Sequence, residues 1–209
     1  MPRSSHGAGS ISSKKKKVIA STKANPLTFS KSLPDILEAD LQIVFIGINP
    51  GTYSARVGHY YARTANLFWP MLFESGLIPH PMRPEDDWRL IRLGIGFTDV
   101  VKRSSDSASD LTRDEFEAGA IVVRKKILMW RPRIVCFNGL TAFRGVFGRK
   151  EGPGAKPDRI GESCVFVVPS TSRRNAAYPR EQVLFWFKEL NRFRAGIINP
   201  SAIHRPPSA

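Results

Sequence analysis

LQIVFIGINPG, residues 41–51, is near-continuously apolar up to Ile48 and then turns through Asn49, Pro50 and Gly51. An apolar run of that length, ended by turn residues, reads as a strand buried on both faces. Two further runs read the same way, RIVCFN over 133–138 and SCVFVV over 163–168. Between them lie stretches with helical spacing. Residues 65–75 are closed by Gly76, with Pro70 in the first turn or two, and residues 83–93 are followed by Gly94. The longest helix is expected over 112–129, where Thr112 and Glu115 stand three residues apart as a capping box. Residues 140–147 and 180–193 complete the set.

Strands alternating with helices predict a three-layer α/β/α sandwich with a central, mainly parallel sheet. In such folds ligands bind beyond the carboxyl ends of the strands. Here those ends carry GINPG, FNG and VPSTSRR. The first is no phosphate-binding P-loop, because no Gly-Lys-Ser/Thr follows it, and the G-x-G-x-x-G fingerprint is absent as well.

The chain has 209 residues, 42% of them hydrophobic, which suits one domain with flanking tails. Residues 1–32 are rich in Ser, Lys and Gly and are expected to be a disordered basic tail. Residues 33–195 form the folded domain, and 196–209 are expected to be a C-terminal extension. The net charge is +14. Residues 1–34 supply +7 of it through seven Lys or Arg and no acid, so the body carries the other +7. A body this basic suits a polyanionic partner.

The two cysteines, Cys136 and Cys164, sit in apolar runs, and the four histidines are scattered. No metal and no cofactor is expected from them. No apolar run reaches the ~18 residues of a membrane span, so no membrane partner is expected. The KKKK run at 14–17 reads equally as a nuclear localisation signal or as a non-specific DNA arm.

Four ordered blocks go further. They are GINPGTYSARVGHYYARTANLFWPMLFESGL from Gly47, GIGFTDVVKRSS over 94–105, PRIVCFNG over 132–139 and VPSTSRRNAAYPRE over 168–181. Together they resemble the mismatch-specific thymine/uracil DNA glycosylase family, within the uracil-DNA glycosylase superfamily, over roughly residues 33–190. The resemblance implies that uracil or thymine opposite guanine is flipped out of duplex DNA and its N-glycosidic bond hydrolysed. Asn49 would aim the attacking water; an amide gives orientation and little base strength, so most acceleration would come from stabilising the departing base. Gly47, Ile48, Gly51, Ser54, Tyr61, Asp99 and Asn138 would form the base pocket, with Tyr61 as the stacking aromatic. Tyr60 beside it, and Phe68 and Trp69, fit the core better. Ser170, Thr171, Ser172, Arg173 and Arg174 would form the loop that enters DNA, with Ser170 and Ser172 on phosphate and Arg174 as the wedge. Arg173 reads more simply as a solvated cation.

This chain departs from the family's pattern at three positions. Ser54 stands where relatives vary between Ser and Ala, and its hydroxyl would crowd a thymine methyl, so uracil is the preferred base. Asp99 stands where relatives carry Asn or Lys. It either faces the pocket, where an ionised carboxylate would repel a base carrying a carboxylate, or it caps a helix or pairs with Lys102 or Arg103. Leu140 replaces a lysine that meets phosphate in some relatives, so that contact is not assigned. The implied partners are duplex DNA with G·U or G·T mismatches and downstream abasic-site repair enzymes; a monomer and a nuclear location are expected. The main alternative is a non-catalytic basic module that binds DNA damage or DNA shape. A glycosylase with an acidic water activator lacks its Gly-Gln-Asp-Pro-Tyr segment here, and the two cysteines exclude an iron–sulfur class.

Overall fold

A computed structural model describes residues 32–198; the basic tail and the KKKK run lie outside the described residues. Strand β1, Ile43–Gly47, is fully buried and is an inner strand of a five-stranded sheet. It pairs in parallel with β2, Ile95–Asp99, on one side and with β3, Ile134–Asn138, on the other. Beyond β3 lies β5, Ser163–Val168, also parallel, and then β4, Gly154–Ile160, antiparallel at the edge. The order is β2-β1-β3-β5-β4.

Period-two alternation along the strands splits the core into two layers. Ile43, Phe45, Ile134 and Cys136 face one layer, and Val44, Ile46, Val135 and Phe137 face the other. The first is covered by α2, Phe68–Glu74, and α5, Arg180–Ile198, through Phe68, Met71, Leu72, Val183, Phe187 and Leu190. The second is covered by α3, Arg113–Trp130, and α4, Leu140–Phe147, through Val123, Ile127, Ala142 and Phe143. This is the α/β/α sandwich expected from the sequence.

Four differences from the sequence reading have a local reason. The first concerns residues 65–75, where only Phe68–Glu74 is helical. The Asn66 side chain takes the Phe68 N–H (2.9 Å) and fixes the helix start there. Pro70 then falls in the first turn, where a missing N–H costs nothing. The second is residues 84–93, which wind as 3-10 rather than α-helix and end at Gly94.

The third is a pair of strands the sequence did not announce. β2 is hidden by Gly94 and Gly96, which read as turn residues. β4 is hidden by Pro157 and by a lack of apolar residues, with only Ala155 and Ile160 among its seven. Its register shifts between Lys156 and Arg159, the irregularity that accommodates a proline on an edge strand. The fourth is the last helix, where α5 continues through Ile198, past the expected helix end at 193. By contrast α3 starts as expected, with Thr112 accepting from the Glu115 N–H (3.2 Å) and Glu115 accepting from the Thr112 N–H (2.8 Å).

Candidate active site

The C-terminal ends of β1, β2, β3 and β5 converge on one cleft of about 950 Å³. It opens where the chain leaves β1 for one face of the sheet and β3 for the other, the switch-point location expected of a parallel sheet. All residues singled out from the sequence line it: the first loop and Ser54, Tyr61, Asp99 and Asn138, and the loop 170–174.

Asn49 follows β1 directly. Its Nδ2 lies 2.9 Å from Ser105 Oγ, 3.1 Å from the Arg103 carbonyl and 3.2 Å from the Pro50 carbonyl. Two of these three are carbonyls and can only accept, so the NH2 end of the amide must point at them. Oδ1 is left as the free end, accepting no hydrogen bond among the described residues. The Ser105 N–H also donates to the Pro50 carbonyl (3.1 Å), which ties the two loops together.

After Gly51 the chain enters a short helix, α1, Thr52–Val57. Ser54 is buried there and its Oγ accepts from the Ala62 N–H (3.0 Å). That bond holds the returning loop, and with it Tyr61. Tyr61 has a left-handed backbone, φ 54°, and its ring stacks on Phe68 at 4.0 Å. A non-glycine residue held there costs about 1–3 kcal/mol, the kind of strain found at binding sites. Tyr60 is a core residue, 2% exposed and stacked on Phe97, and its hydroxyl donates to the Pro34 carbonyl (3.1 Å). Phe68 and Trp69 are core residues too.

Asp99 ends β2, directly beside Gly47 on β1. It is 3% exposed, lines the cleft, and its Oδ2 has no hydrogen-bond partner. The alternative pairing with Lys102 or Arg103 is overturned: Lys102 bonds Asp35 (2.9 Å) and Arg103 bonds Glu115 (2.6 Å). Nor does it cap a helix, for it is the last residue of its strand. Burial pushes its carboxyl up to about 7, against the pull of Lys102 and Lys126. The Tyr61 hydroxyl is likewise buried without a partner, and burial together with Asp99 raises its pKa.

Asn138 ends β3 and bonds Thr171 twice. Its Oδ1 accepts from the Thr171 N–H (3.1 Å) and its Nδ2 donates to Thr171 Oγ1 (2.9 Å). Thr171 is 1% exposed, so its side chain anchors the loop to the sheet, a different place from the DNA-entering surface the sequence grouped it with. Ser170 Oγ and Ser172 Oγ accept backbone N–H groups two residues on, those of Ser172 and Arg174 (3.3 Å each). This shapes the loop and leaves both hydroxyl protons free to donate. Arg173 and Arg174 are exposed and form no ion pair among the described residues.

The sequence reading assigned no role to the loop after β2. Ser105 anchors Asn49, and Asp106 accepts from Thr52 Oγ1 (2.6 Å) and from Arg63 (2.9 Å) across the cleft mouth. The only available signal was that Ser105 closes the block over 94–105. Among the described residues, no cluster of three or more His, Cys, Asp or Glu is placed to hold a metal ion, and no helix is long and apolar enough to cross a membrane.

A parallel sheet whose strand ends gather an oriented amide, a buried carboxyl, a strained tyrosine and a basic loop defines an α/β protein with a catalytic-type cleft. Residues 34–192 match the Uracil DNA glycosylase superfamily, and the chain belongs to that superfamily. Its members are DNA glycosylases, hydrolases of N-glycosyl bonds. The solution NMR structure of a candidate uracil DNA glycosylase from Methanosarcina acetivorans is similar over 78% of this chain and 98% of that one, at 21% identity and a TM-score of 0.48.

Proposed function

We propose that this chain is a monofunctional glycosylase that excises uracil, and less readily thymine, mispaired with guanine in duplex DNA. The observation that carries the reading is the Asn49 amide, held at its nitrogen end by three acceptors and free at Oδ1 on the cleft. A carbonyl oxygen fixed in this way orients a water without needing to take its proton. The target carbon is buried in a duplex, so the nucleotide must be flipped into the cleft. Tyr61 supplies a ring for the extruded base, worth about 1–3 kcal/mol per stacked base. Arg174, exposed on a loop anchored from below by Asn138, fills the gap and addresses the guanine left behind. Ser170 and Ser172 hold phosphate through their free hydroxyl protons.

In this reading the protein acts as a monomer, its basic tail directs it to the nucleus, and its abasic product passes to downstream repair enzymes.

A single-turnover assay on duplexes containing G·U, G·T or A·U, followed by alkaline cleavage of abasic sites, tests the proposal. Cleavage is expected in the order G·U, G·T, A·U, and Asn49→Ala is expected to lose most of it while keeping duplex affinity. Full activity in Asn49→Ala would remove the proposed role of Asn49. Duplex binding without cleavage of any of the three would leave a binding module instead.

A further inference from the structure

Two buried polar groups in the cleft have no hydrogen-bond partner among the described residues, Asp99 Oδ2 and the Tyr61 hydroxyl. Buried groups in native proteins are nearly always satisfied, so a pair of orphans in one place calls for an explanation. The Asp99 carboxyl and the Tyr61 hydroxyl both lie beside Gly47. A Cβ at Gly47 would stand 2.4 Å from Asp99 Oδ1 and 3.4 Å from the Tyr61 hydroxyl. The glycine that ends β1 is therefore what gives the Asp99 carboxyl room to lie across the strand end.

Among the described residues no cation forms an ion pair with that carboxyl, although Lys102 and Lys126 are close enough to pull it down. The groups around it come from four elements. Asp35, on the segment before β1, binds both Lys102, which follows β2, and Lys126 of α3, at 2.9 and 2.6 Å. Tyr60 and Tyr61 approach from the loop after α1; the Tyr60 hydroxyl donates to the Pro34 carbonyl and still lies close enough to pull the Asp99 carboxyl down. Asp99 thus keeps an unpaired oxygen in a buried position whose neighbouring lysines are paired with Asp35.

Resting on the base-excision reading above, we infer that Asp99 acts in its protonated form, donating a hydrogen bond to a carbonyl oxygen of the flipped pyrimidine. Uracil and thymine each offer two such oxygens. During hydrolysis the C1′–N1 bond breaks with its electron pair left on the base, and the water oxygen forms the new bond to C1′. The water's proton passes to solvent, and the base anion takes one from solvent. Asp99 keeps its proton throughout and stabilises the negative charge spreading onto the base oxygens. An ionised Asp99 would instead repel that charge. The carboxyl is pushed up to about 7, within the working range of pH, so its proton is gained or lost where the enzyme operates.

The test is a pH profile of the single-turnover rate on a G·U duplex, between pH ~5.5 and ~9, for the unmodified chain and for Asp99→Asn. The unmodified chain is expected to slow as pH rises above about 7, approaching tenfold per pH unit. Asp99→Asn, a donor that never ionises, is expected to lose that limb and to be the faster of the two at high pH. Parallel profiles, or an Asn variant slower at every pH, would overturn the inference. Absence of cleavage by the unmodified chain at any pH, with duplex binding intact, would overturn the base-excision reading itself. A second measurement needs no variant. Carbon NMR of the Asp99 carboxyl in complex with a duplex carrying non-hydrolysable 2′-fluoro-deoxyuridine opposite guanine should show it protonated above the pH at which the free protein ionises. An ionised carboxylate in that complex would refute the inference.

Discussion

If the Asp99 carboxyl is held near 7 by burial, folding must bear the difference from its ordinary value of 3.8, and the size of that cost can be worked out. Below about pH 4 both the folded and the unfolded chain carry a protonated Asp99, and the residue makes no difference. Between about 4 and 7 the unfolded chain has released the proton while the folded chain still holds it. The folded state then binds more protons, so stability falls as pH rises through this window. Above about 7 both forms are ionised and the cost is constant. Three pH units correspond to about 4 kcal/mol.

Asp99→Asn escapes this cost. Its amide, left without a partner, carries a penalty of its own of about 1–3 kcal/mol, but that penalty does not change with pH. The diagnostic quantity is therefore the pH dependence of the difference between the two proteins. Asp35, held below the usual carboxylate range by Lys126 and Lys102 despite its burial, titrates in both proteins and largely cancels. Urea denaturation at pH ~4.5 and at pH ~8 should show the Asn variant gaining about 3 kcal/mol on the unmodified chain between the two, or roughly 10 °C in Tm. A difference that stays flat with pH, or that favours the unmodified chain at high pH, would refute a carboxyl destabilised by burial.

Two other substitutions probe the walls of the cleft. Ser54→Ala removes a methyl-crowding hydroxyl but also orphans the Ala62 N–H that it holds at 3.0 Å. The G·T to G·U rate ratio is expected to rise while both rates fall, at a stability cost of about 1–2 kcal/mol; an unchanged ratio in single-turnover assays would show that the hydroxyl does not set the preference. Asn138→Ala cuts both bonds to Thr171, 2.9 and 3.1 Å, and so frees the loop bearing Ser170, Ser172 and Arg174. Duplex affinity measured by fluorescence anisotropy is expected to fall about tenfold or more, with a smaller change in the rate at saturating DNA; the reverse pattern would place Asn138 in the chemistry instead.

The sequence carried the sheet's centre because β1, β3 and β5 are buried on both faces, and burial on both faces writes itself as an apolar run. It carried the cleft for a related reason: strand ends in a parallel sheet share one side, so GINPG, FNG and VPSTSRR had to meet. β2 and β4 were illegible because glycine and proline, read locally, look like turns. The roles of Ser105 and Thr171 were illegible for another reason. A serine in a polar loop and a threonine between two serines have no pattern that separates an anchor from a surface contact. Only the partner decides, and the partners are 56 and 33 residues away.

Asp99 extends the same lesson to electrostatics. Lys102 lies three residues beyond it and is its natural partner on sequence distance, yet Lys102 and Lys126 are both drawn to Asp35. Asp35 reaches them because the segment before β1 bridges to β2 through Ile36 and Phe97. Thr98, the residue before Asp99, adds a hydrogen bond of 2.7 Å to Asp35. Asp35 therefore raises the Asp99 carboxyl twice, by taking up its nearest cations and by its own negative charge. The pocket's protonation state is set partly by a residue that does not line the cleft, on a segment outside the sheet. Releasing Lys102 and Lys126 from Asp35 would lower the Asp99 carboxyl and shift the fall in the pH–rate profile to lower pH, with the cleft's own side chains unchanged.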